Sequence, residues 1–168
     1  MNSIFTRRSI RRFTDQSVEP EKLERILRAA MQAPTARNKQ DWEFLVVQDR
    51  EKILRVSEMS DVTVSAKNAP VLIIPLANLE RGTGLPLMWS CDLGAATENI
   101  LLQIEEEGLG GTWLSCWPYE PKVQYLRDLF QLPEHIIPYA VITVGYKAAE
   151  KPFEDRWDPA KVHWEKYE

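Results

Sequence analysis

Between Leu87 and Glu107 the chain reads LMWSCDLGAATENILLQIEEE, a stretch whose spacing predicts a single long helix. Leu93, Ala95, Ala96, Ile100, Leu101 and Ile104 make its first part apolar on nearly every face. A helix of that kind cannot lie on a surface with one side in water. It has to be buried, or to sit in a subunit interface. Gly108 follows it, where a left-handed residue closes a helix without steric cost. Everything else in the chain must therefore supply layers that cover this element.

Other segments have the right patterns to do so. Pro20 to Gln32 predicts an amphipathic helix, with Leu23, Ile26, Leu27, Ala30 and Met31 on one stripe. Pro20 suits its first turn and Pro34 ends it. Further helices are expected over Ser3 to Arg8, Glu51 to Met59 and Pro121 to Phe130. Strands are expected over Glu43 to Gln48, Pro70 to Ala77, Gly111 to Trp117 and Pro138 to Tyr146, with Ile10 to Phe13 extended. Pro75 limits its strand to a bulge or a sheet edge. Strands separated by helices place the fold among the mixed α and β classes, and that pattern alone favours parallel crossovers. The tail, 147–168, is polar but keeps Phe153, Trp157, Trp164 and Tyr167, which points to docking on a second subunit.

The 168 residues suit one domain, able to bury roughly 70% of its unfolded surface. A net charge of −4 gives no general attraction to nucleic acid or anionic membrane, so any anion site has to come from local clustering. Cys91 and Cys116 form no CxxC pair, so zinc and a disulfide scaffold are unsupported and both read as small buried hydrophobes. No run approaches the roughly 20 apolar residues of a membrane span. The N-terminus meets Arg7 and Arg8 with no apolar run before them, so no signal peptide is expected and the expected compartment is the cytoplasm.

Four clusters carry possible chemistry. Arg7-Arg8-Ser9-Ile10-Arg11-Arg12 gathers four guanidiniums, which suit phosphate through paired donors, or else form a solvated basic face. Ala33 to Trp42 (APTARNKQDW) offers Asn38 and Gln40 for the edge of a heterocycle and small Thr35 and Ala36 for close approach; its plainer reading is a polar turn with Asn38 left-handed. Gly108 to Ser115 (GLGGTWLS) lets backbone N–H groups approach a ligand, but it follows a helix and leads into a strand, the reverse of a dinucleotide fingerprint. Arg156 stands among tail carboxylates, where an exposed pair is the ordinary outcome.

Taken in order, RRSIRRF, APTARNKQDWEFLVV, APVLIIPLA, DLGAATENILLQIEEEGLGGTWL, PYAVITVGY and DRWDPAKVHWEKY make the chain resemble the FMN-dependent nitroreductase family, in particular its short members, from about residue 4 to residue 167. The resemblance implies an α+β fold, a three-layer αβα sandwich with a mostly antiparallel central sheet and a C-terminal tail wrapping a dimer partner. It implies a homodimer with FMN at the interface and a small-molecule substrate. Arg7, Arg8, Ser9 and Arg11 match the N-terminal FMN segment, with Arg7 toward the phosphate or ribityl end and Arg11 toward the pyrimidine edge. Pro34, Thr35, Ala36 and Asn38 match the loop lent by the partner. Trp113, Leu114 and Ser115 match the segment beneath the ring, and Arg156 the tail arginine that closes on the phosphate; Arg12 is left facing solvent. NADH or NADPH is the implied donor, ping-pong kinetics follow, and no side-chain nucleophile is needed because the flavin carries the chemistry. His135 and His163 are then structural.

Two departures from the family pattern matter. Asp41 stands where the family often has proline, which changes the charge beside the cofactor loop. The stretch between Ala77 and Trp89 is short, which implies an open flavin face. Reduction of nitroaromatics, quinones or similar flat acceptors is the leading expectation. A flavin-binding module without turnover and a nucleic-acid-binding domain are the rivals.

Overall fold

The computed structural model describes residues 2–167. The elements follow in the order α1 (Ser3–Thr6), α2 (Pro20–Ala30), β1 (Trp42–Val47), α3 (Arg50–Ser57), β2 (Val71–Asn78), α4 (Met88–Glu106), β3 (Gly110–Ser115), α5 (Glu120–Phe130), β4 (Ile136–Pro138) and β5 (Ala140–Gly145). Short 3-10 turns cover Ala36–Asn38, Val64–Asn68 and Pro159–Lys161. The sheet runs β1-β2-β5-β3, with β4 also on β2.

Every neighbouring strand pair is antiparallel, which overturns the parallel crossovers expected from pattern alone and agrees with the sheet that the resemblance implies. The reason lies in the connections. Val47 pairs with Leu72, so the segment through α3 leaves and re-enters the sheet at the same end. β2 and β3 do run the same way with α4 between them, but β5 is inserted between the two and pairs with both. Strand–helix alternation cannot distinguish these cases, because the order of strands in space is not written in their order in sequence.

Pro75 lies in the interior of the sheet, so the edge reading fails and the bulge reading holds. β2 pairs with β5 as far as Ile73↔Ile142 and resumes with β4 at Leu76↔Pro138. Ile74 and Pro75 thus face three residues, 139–141, and one residue is extra. Tyr139 N donates to Pro75 O at 2.9 Å, while the missing N–H of the proline falls where the ladder is already broken. The single last strand expected over Pro138 to Tyr146 is split at the same place into β4 and β5.

The layers are helix, sheet, helix. On one face α2 and α4 bury Ile26, Ala30, Ile100 and Ile104 against Val71, Ile73, Ile142 and Val144. On the other, α3 and α5 bury Ile53, Val56 and Leu126 against Leu72, Ile74, Leu114 and Val141. Each fully buried aliphatic side chain stabilises by roughly 1.5–3 kcal/mol. α4 is closed as expected: Gly108 has φ 72°, its N–H donates to Glu105 O, and Leu109 N donates to Ile104 O. Those two bonds form a Schellman motif. Cys116 is buried, but Cys91 on α4 is exposed and departs from the buried reading.

The N-terminal segment is held on the outer edge of β3. Ser9 pairs with Gly111, Ile10 N donates to Gly111 O at 2.9 Å, and the Thr112 hydroxyl donates to Ile10 O at 2.6 Å. Ile10 fills the space left by the missing side chain of Gly110, where an added Cβ would stand 2.8 Å from the Ile10 Cβ. Gly110→Ala should therefore lower stability by about 1–3 kcal/mol through overpacking. Urea denaturation should show a lower midpoint with an unchanged slope.

Candidate functional site

The basic segment divides into arginines with different commitments. Arg7 reaches α4, with Nε 3.3 Å from Glu98 Oε1, yet this buried nitrogen makes no aligned hydrogen bond among the described residues. The proton of Arg7 Nε is thus aimed past its carboxylate. Arg8 is spent on structure. Its Nε donates to Pro152 O at 3.1 Å, Nη1 to Phe5 O at 3.2 Å and Arg7 O at 2.7 Å, and Nη2 to Glu154 O at 3.3 Å. Its guanidinium also sits 5.6 Å from the centre of the Phe153 ring. Arg8 fastens the start of the tail to the N-terminal segment. Arg156 lies two residues beyond that anchor, 3.2 Å from Glu154 Oε2 and 69% exposed, a weak surface pair that a stronger anion can replace. Arg11 and Arg12 are exposed.

β3 presents its backbone to this segment. Gly111 O points outward to Ile10, and residues alternate along a strand, so the N–H and C=O groups of Trp113 and Ser115 also point away from β5. The side chains behave differently. Leu114 is buried toward α5, Trp113 packs on the α4 face with its ring centre 5.8 Å from that of Tyr139, and Ser115 is exposed. Among these three residues, backbone and not the Leu114 side chain is available to a ligand. Lys122 Nζ donates to Ser115 O at 3.1 Å, a neighbouring cation that sequence reasoning missed.

The loop from Ala33 to Trp42 is a tight, strained turn. Arg37, Asn38 and Gln40 have φ of 55°, 52° and 50°. Asn38 tolerates that region, whereas Arg37 and Gln40 each pay roughly 1–2 kcal/mol for it. Gln40 N donates to the Thr35 hydroxyl at 3.1 Å and Gln40 Nε2 to Asn38 Oδ1 at 3.0 Å. Ala36 N donates to Asp92 Oδ1 at 2.9 Å, pinning the loop to the first turns of α4. Pro34 and Asn38 remain exposed, with Thr35 and Ala36 half-buried.

Beneath this loop lies a pair of carboxylates that the motif reading did not join. Asp41 and Asp92 are buried; neither oxygen of Asp41 and not Asp92 Oδ2 has a hydrogen-bond partner among the described residues. Burial, and secondarily the nearby Asp92, push the Asp41 carboxyl above the ordinary range. The signal available in sequence was Asp92 itself, a lone carboxylate in the apolar part of a helix. A chain of rings closes the same region, Trp113 to Tyr139, then Tyr139 to Trp89 at 6.3 Å and Trp89 to Trp117 at 4.8 Å, and fixes the start of α4 against β3.

The structure thus brings Arg7, Arg8 and Ser9 together with the first part of the tail beside the start of β3, and pins Pro34 to Asn38 to the first turns of α4. Glu98, the partner of Arg7, and Asp92, the partner of the loop, are six residues apart on α4. That is about 9 Å along the axis and roughly 120° around it. A guanidinium without an aligned partner, an exchangeable arginine pair and outward backbone donors fit a ligand with a phosphate and a flat hydrogen-bonding ring, the two parts of FMN. His135 lies 3.6 Å from Glu80, and the centre of the His163 ring is 4.2 Å from that of Tyr167.

Fold and site together describe a sandwich with an arginine segment laid along a sheet edge, and comparison with known proteins gives that arrangement its class. The model of the nitroreductase family matches residues 4–81 and 65–146, and the chain belongs to that family. It is 40% identical over 170 residues to a protein of Archaeoglobus fulgidus provisionally named NADH dehydrogenase/NAD(P)H nitroreductase, covering 99% of this chain and 98% of that one. Among solved structures, a provisionally named NADH oxidase from Clostridium acetobutylicum superposes with a TM-score of 0.95 at 46% identity, covering 99% of this chain and all of that one. An FMN-dependent nitroreductase from Clostridium difficile R20291 superposes with a TM-score of 0.91 at 32% identity, covering 99% of both chains. No helix among the described residues is long and apolar enough to cross a membrane.

The carboxylate pair has a measurable consequence. A folded-state pKa raised above the unfolded value of about 3.9 means that Asp41 favours the fold at low pH and that this contribution is lost as pH rises through the folded value. Asp41→Asn removes the charge and supplies a donor to Asp92. The variant should melt about 2–4 °C higher than the parent at pH 7, with the gap closing below about pH 4. A constant gap across that range would mean that Asp41 titrates normally.

Proposed function

We propose that the chain is an FMN-dependent oxidoreductase that takes electrons from NADH or NADPH and delivers them to nitroaromatics, quinones or similar flat acceptors. The observation that carries the reading is the arginine segment lying along the outer edge of β3, where a cation and outward backbone N–H groups meet. Membership of the nitroreductase family supports it, as do the names of the relatives and structural neighbours. FMN, when bound, supplies the two-electron acceptance and delivery.

The residues divide the work of holding it. Arg7 and Arg156 hold the phosphate, with Ser9 adding a hydroxyl donor, and the positive charge of Arg11 favours an electron-rich ring edge. Arg8 acts at one remove, by keeping the tail and Arg156 within reach. The outward N–H of Ser115, with that of Trp113, donates to the ring, and Leu114 holds β3 in place from the core side. No acid or base among the side chains is required for the electron transfer.

Pro34, Thr35, Ala36 and Asn38 complete the site from a second copy of the chain. In one copy they are pinned to a different side of α4 from Arg7, so a site using both draws on two protomers. A homodimer also gives cover to the tail, where Trp164 and Tyr167 are 83% and 89% exposed in the single chain. The tail, 147–168, would then wrap the partner as part of one domain spanning 1–168. The cytoplasm, where reduced nicotinamides are available, is the fitting compartment.

The purified protein should be yellow and should bleach under nitrogen on addition of NADH or NADPH. A colourless protein that refuses added FMN would sink the reading, and bound FMN that neither donor reduces would leave a binding module. Arg7→Ala with Arg156→Ala should strip the flavin while size-exclusion chromatography still shows a folded dimer, because both arginines make only weak ion pairs. Flavin retained in that double variant would mean the phosphate is held elsewhere.

A further inference from the structure

The turn after β3 brings the start of α5 back beside the end of the strand, with Tyr119 N donating to Cys116 O at 2.8 Å. Val123 and Leu126 are buried and fix α5 on the core. Lys122, in the first turn of that helix, reaches the strand instead, and its Nζ donates to Ser115 O at 3.1 Å. Both polar groups of one strand residue leave the strand on the same side, so this carbonyl and the Ser115 N–H face outward together. The Lys122 ammonium therefore stands on the side of β3 assigned to the ligand. Ser9, in the arginine segment, pairs with Gly111, four residues back and about 13 Å along the strand. The outer edge of β3 thus has arginines near its start and a lysine at its end.

That ammonium is only partly used. It has three protons, and the Ser115 carbonyl takes one. Among the described residues no carboxylate pairs with it, Glu120 of the same turn included. The neighbouring Cys116 supplies no anion, because burial pushes its thiol up to about 12. A lysine in the first turn of a helix also stands where the peptide dipoles already present positive charge. Beside it the Ser115 side chain is exposed, and the Tyr119 ring is 59% exposed with its centre 5.8 Å from Lys122 Nζ. A cation, a hydroxyl and an open aromatic face suit a flat molecule with an acidic group, which takes a charge-assisted bond from the ammonium.

We propose that Lys122 is a specificity-determining residue, and that the acceptors favoured by this site are aromatic compounds that carry a carboxylate besides the group to be reduced. The proposal rests on the oxidoreductase reading above, in which the Ser115 N–H meets the flavin ring. The acceptor's ring is then presented to the flavin while its carboxylate meets the Lys122 ammonium at the end of β3. The arginines assigned to the phosphate lie toward the other end, so the two anionic groups do not compete for one cation. The carboxylate is held before and during the chemical step alike, so its contribution appears in KM.

The test uses the protein with its flavin in place and benzoate, which is not reduced, as the probe. Benzoate should perturb the flavin absorption on binding, and benzamide, of the same shape without the charge, should bind about tenfold more weakly. Lys122→Met should abolish that difference while the flavin stays bound, and Lys122→Arg should keep it. Turnover with NADH gives a second reading, in which one NADH and one proton convert a nitro group to nitroso and water. KM for 4-nitrobenzoate should lie about tenfold below that for 4-nitrobenzamide in the parent, and Lys122→Met should raise the first to meet the second. Equal binding of benzoate and benzamide by the parent overturns the proposal, as does a preference that survives Lys122→Met. Loss of flavin, or an equal rise in KM for acid and amide, overturns it by making Lys122 a structural clamp on the Ser115 carbonyl. Because benzoate is read without turnover, a protein whose flavin no nicotinamide reduces would refute the enzyme reading and leave the result for Lys122 standing.

Discussion

The contact between Ile10 and Gly110 is the constraint on which the rest of the site depends. A strand at the edge of a sheet exposes a row of unpaired donors and acceptors, and proteins cover or use them. Here the N-terminal segment covers only the first part of β3, through Ser9 and Ile10 against Gly111 and Thr112. The absence of a side chain at Gly110 brings the segment this close, and it sets where Arg7, Arg8 and Arg11 begin. Beyond Thr112 the N-terminal segment no longer covers the edge, and there the Trp113 and Ser115 N–H groups face outward while the Ser115 carbonyl accepts from Lys122. One glycine thus determines both the path of the basic segment and the place where it stops blocking the strand.

Charge in this protein is arranged by what each group is free to do. Several cations are paired on the surface, where pairs contribute little and are easily exchanged. Arg8 is held differently, by the carbonyls of four residues and a ring, so that it fastens the tail to the N-terminal segment. Glu107, bound by both Arg25 nitrogens, is held down to about 2 and ties α2 to the end of α4. Asp41 and Asp92 form the opposite case, two buried carboxylates with too few donors, and burial pushes the Asp41 carboxyl above its ordinary range. That pair lies beside the turn in which Arg37, Asn38 and Gln40 are left-handed, and α4 holds that turn through Asp92.

The elements that were legible in the sequence were those whose local chemistry leaves one solution. Gly108 after an apolar helix was well placed as a cap, and Pro75 within a β-rich run left only a bulge or a sheet edge. Asn38 could be left-handed at low cost, and it is. Strand direction was not legible in the pattern of elements, because Val47 pairing with Leu72 depends on where a connector ends in space; only the family resemblance carried the antiparallel sheet. The role of Arg8 was hidden for a related reason: its partners are carbonyls of Pro152 and Glu154, more than 140 residues away, and carbonyls carry no sequence signature. Asp41 and Asp92 each carried a signal in the sequence, but 51 positions separate them and nothing in the sequence joined the two.

α4 explains why the arginine segment and the Thr35 to Asn38 loop are presented apart in one chain. Its early turns carry Asp92, which holds the loop of Thr35 to Asn38, and its middle carries Glu98, which faces Arg7. A helix rotates about 100° per residue, so a six-residue step cannot return to the same side. Loop and arginine segment are therefore presented in different directions by the same rigid element. A second copy related by a two-fold axis would bring its loop to the first copy's arginines and receive the reverse in exchange, since such an interface is self-complementary. The early apolar faces of α4 and the exposed tail aromatics would be covered by the same association. On this reading the apolar helix that dominates the sequence is the element that makes one chain insufficient for its own site.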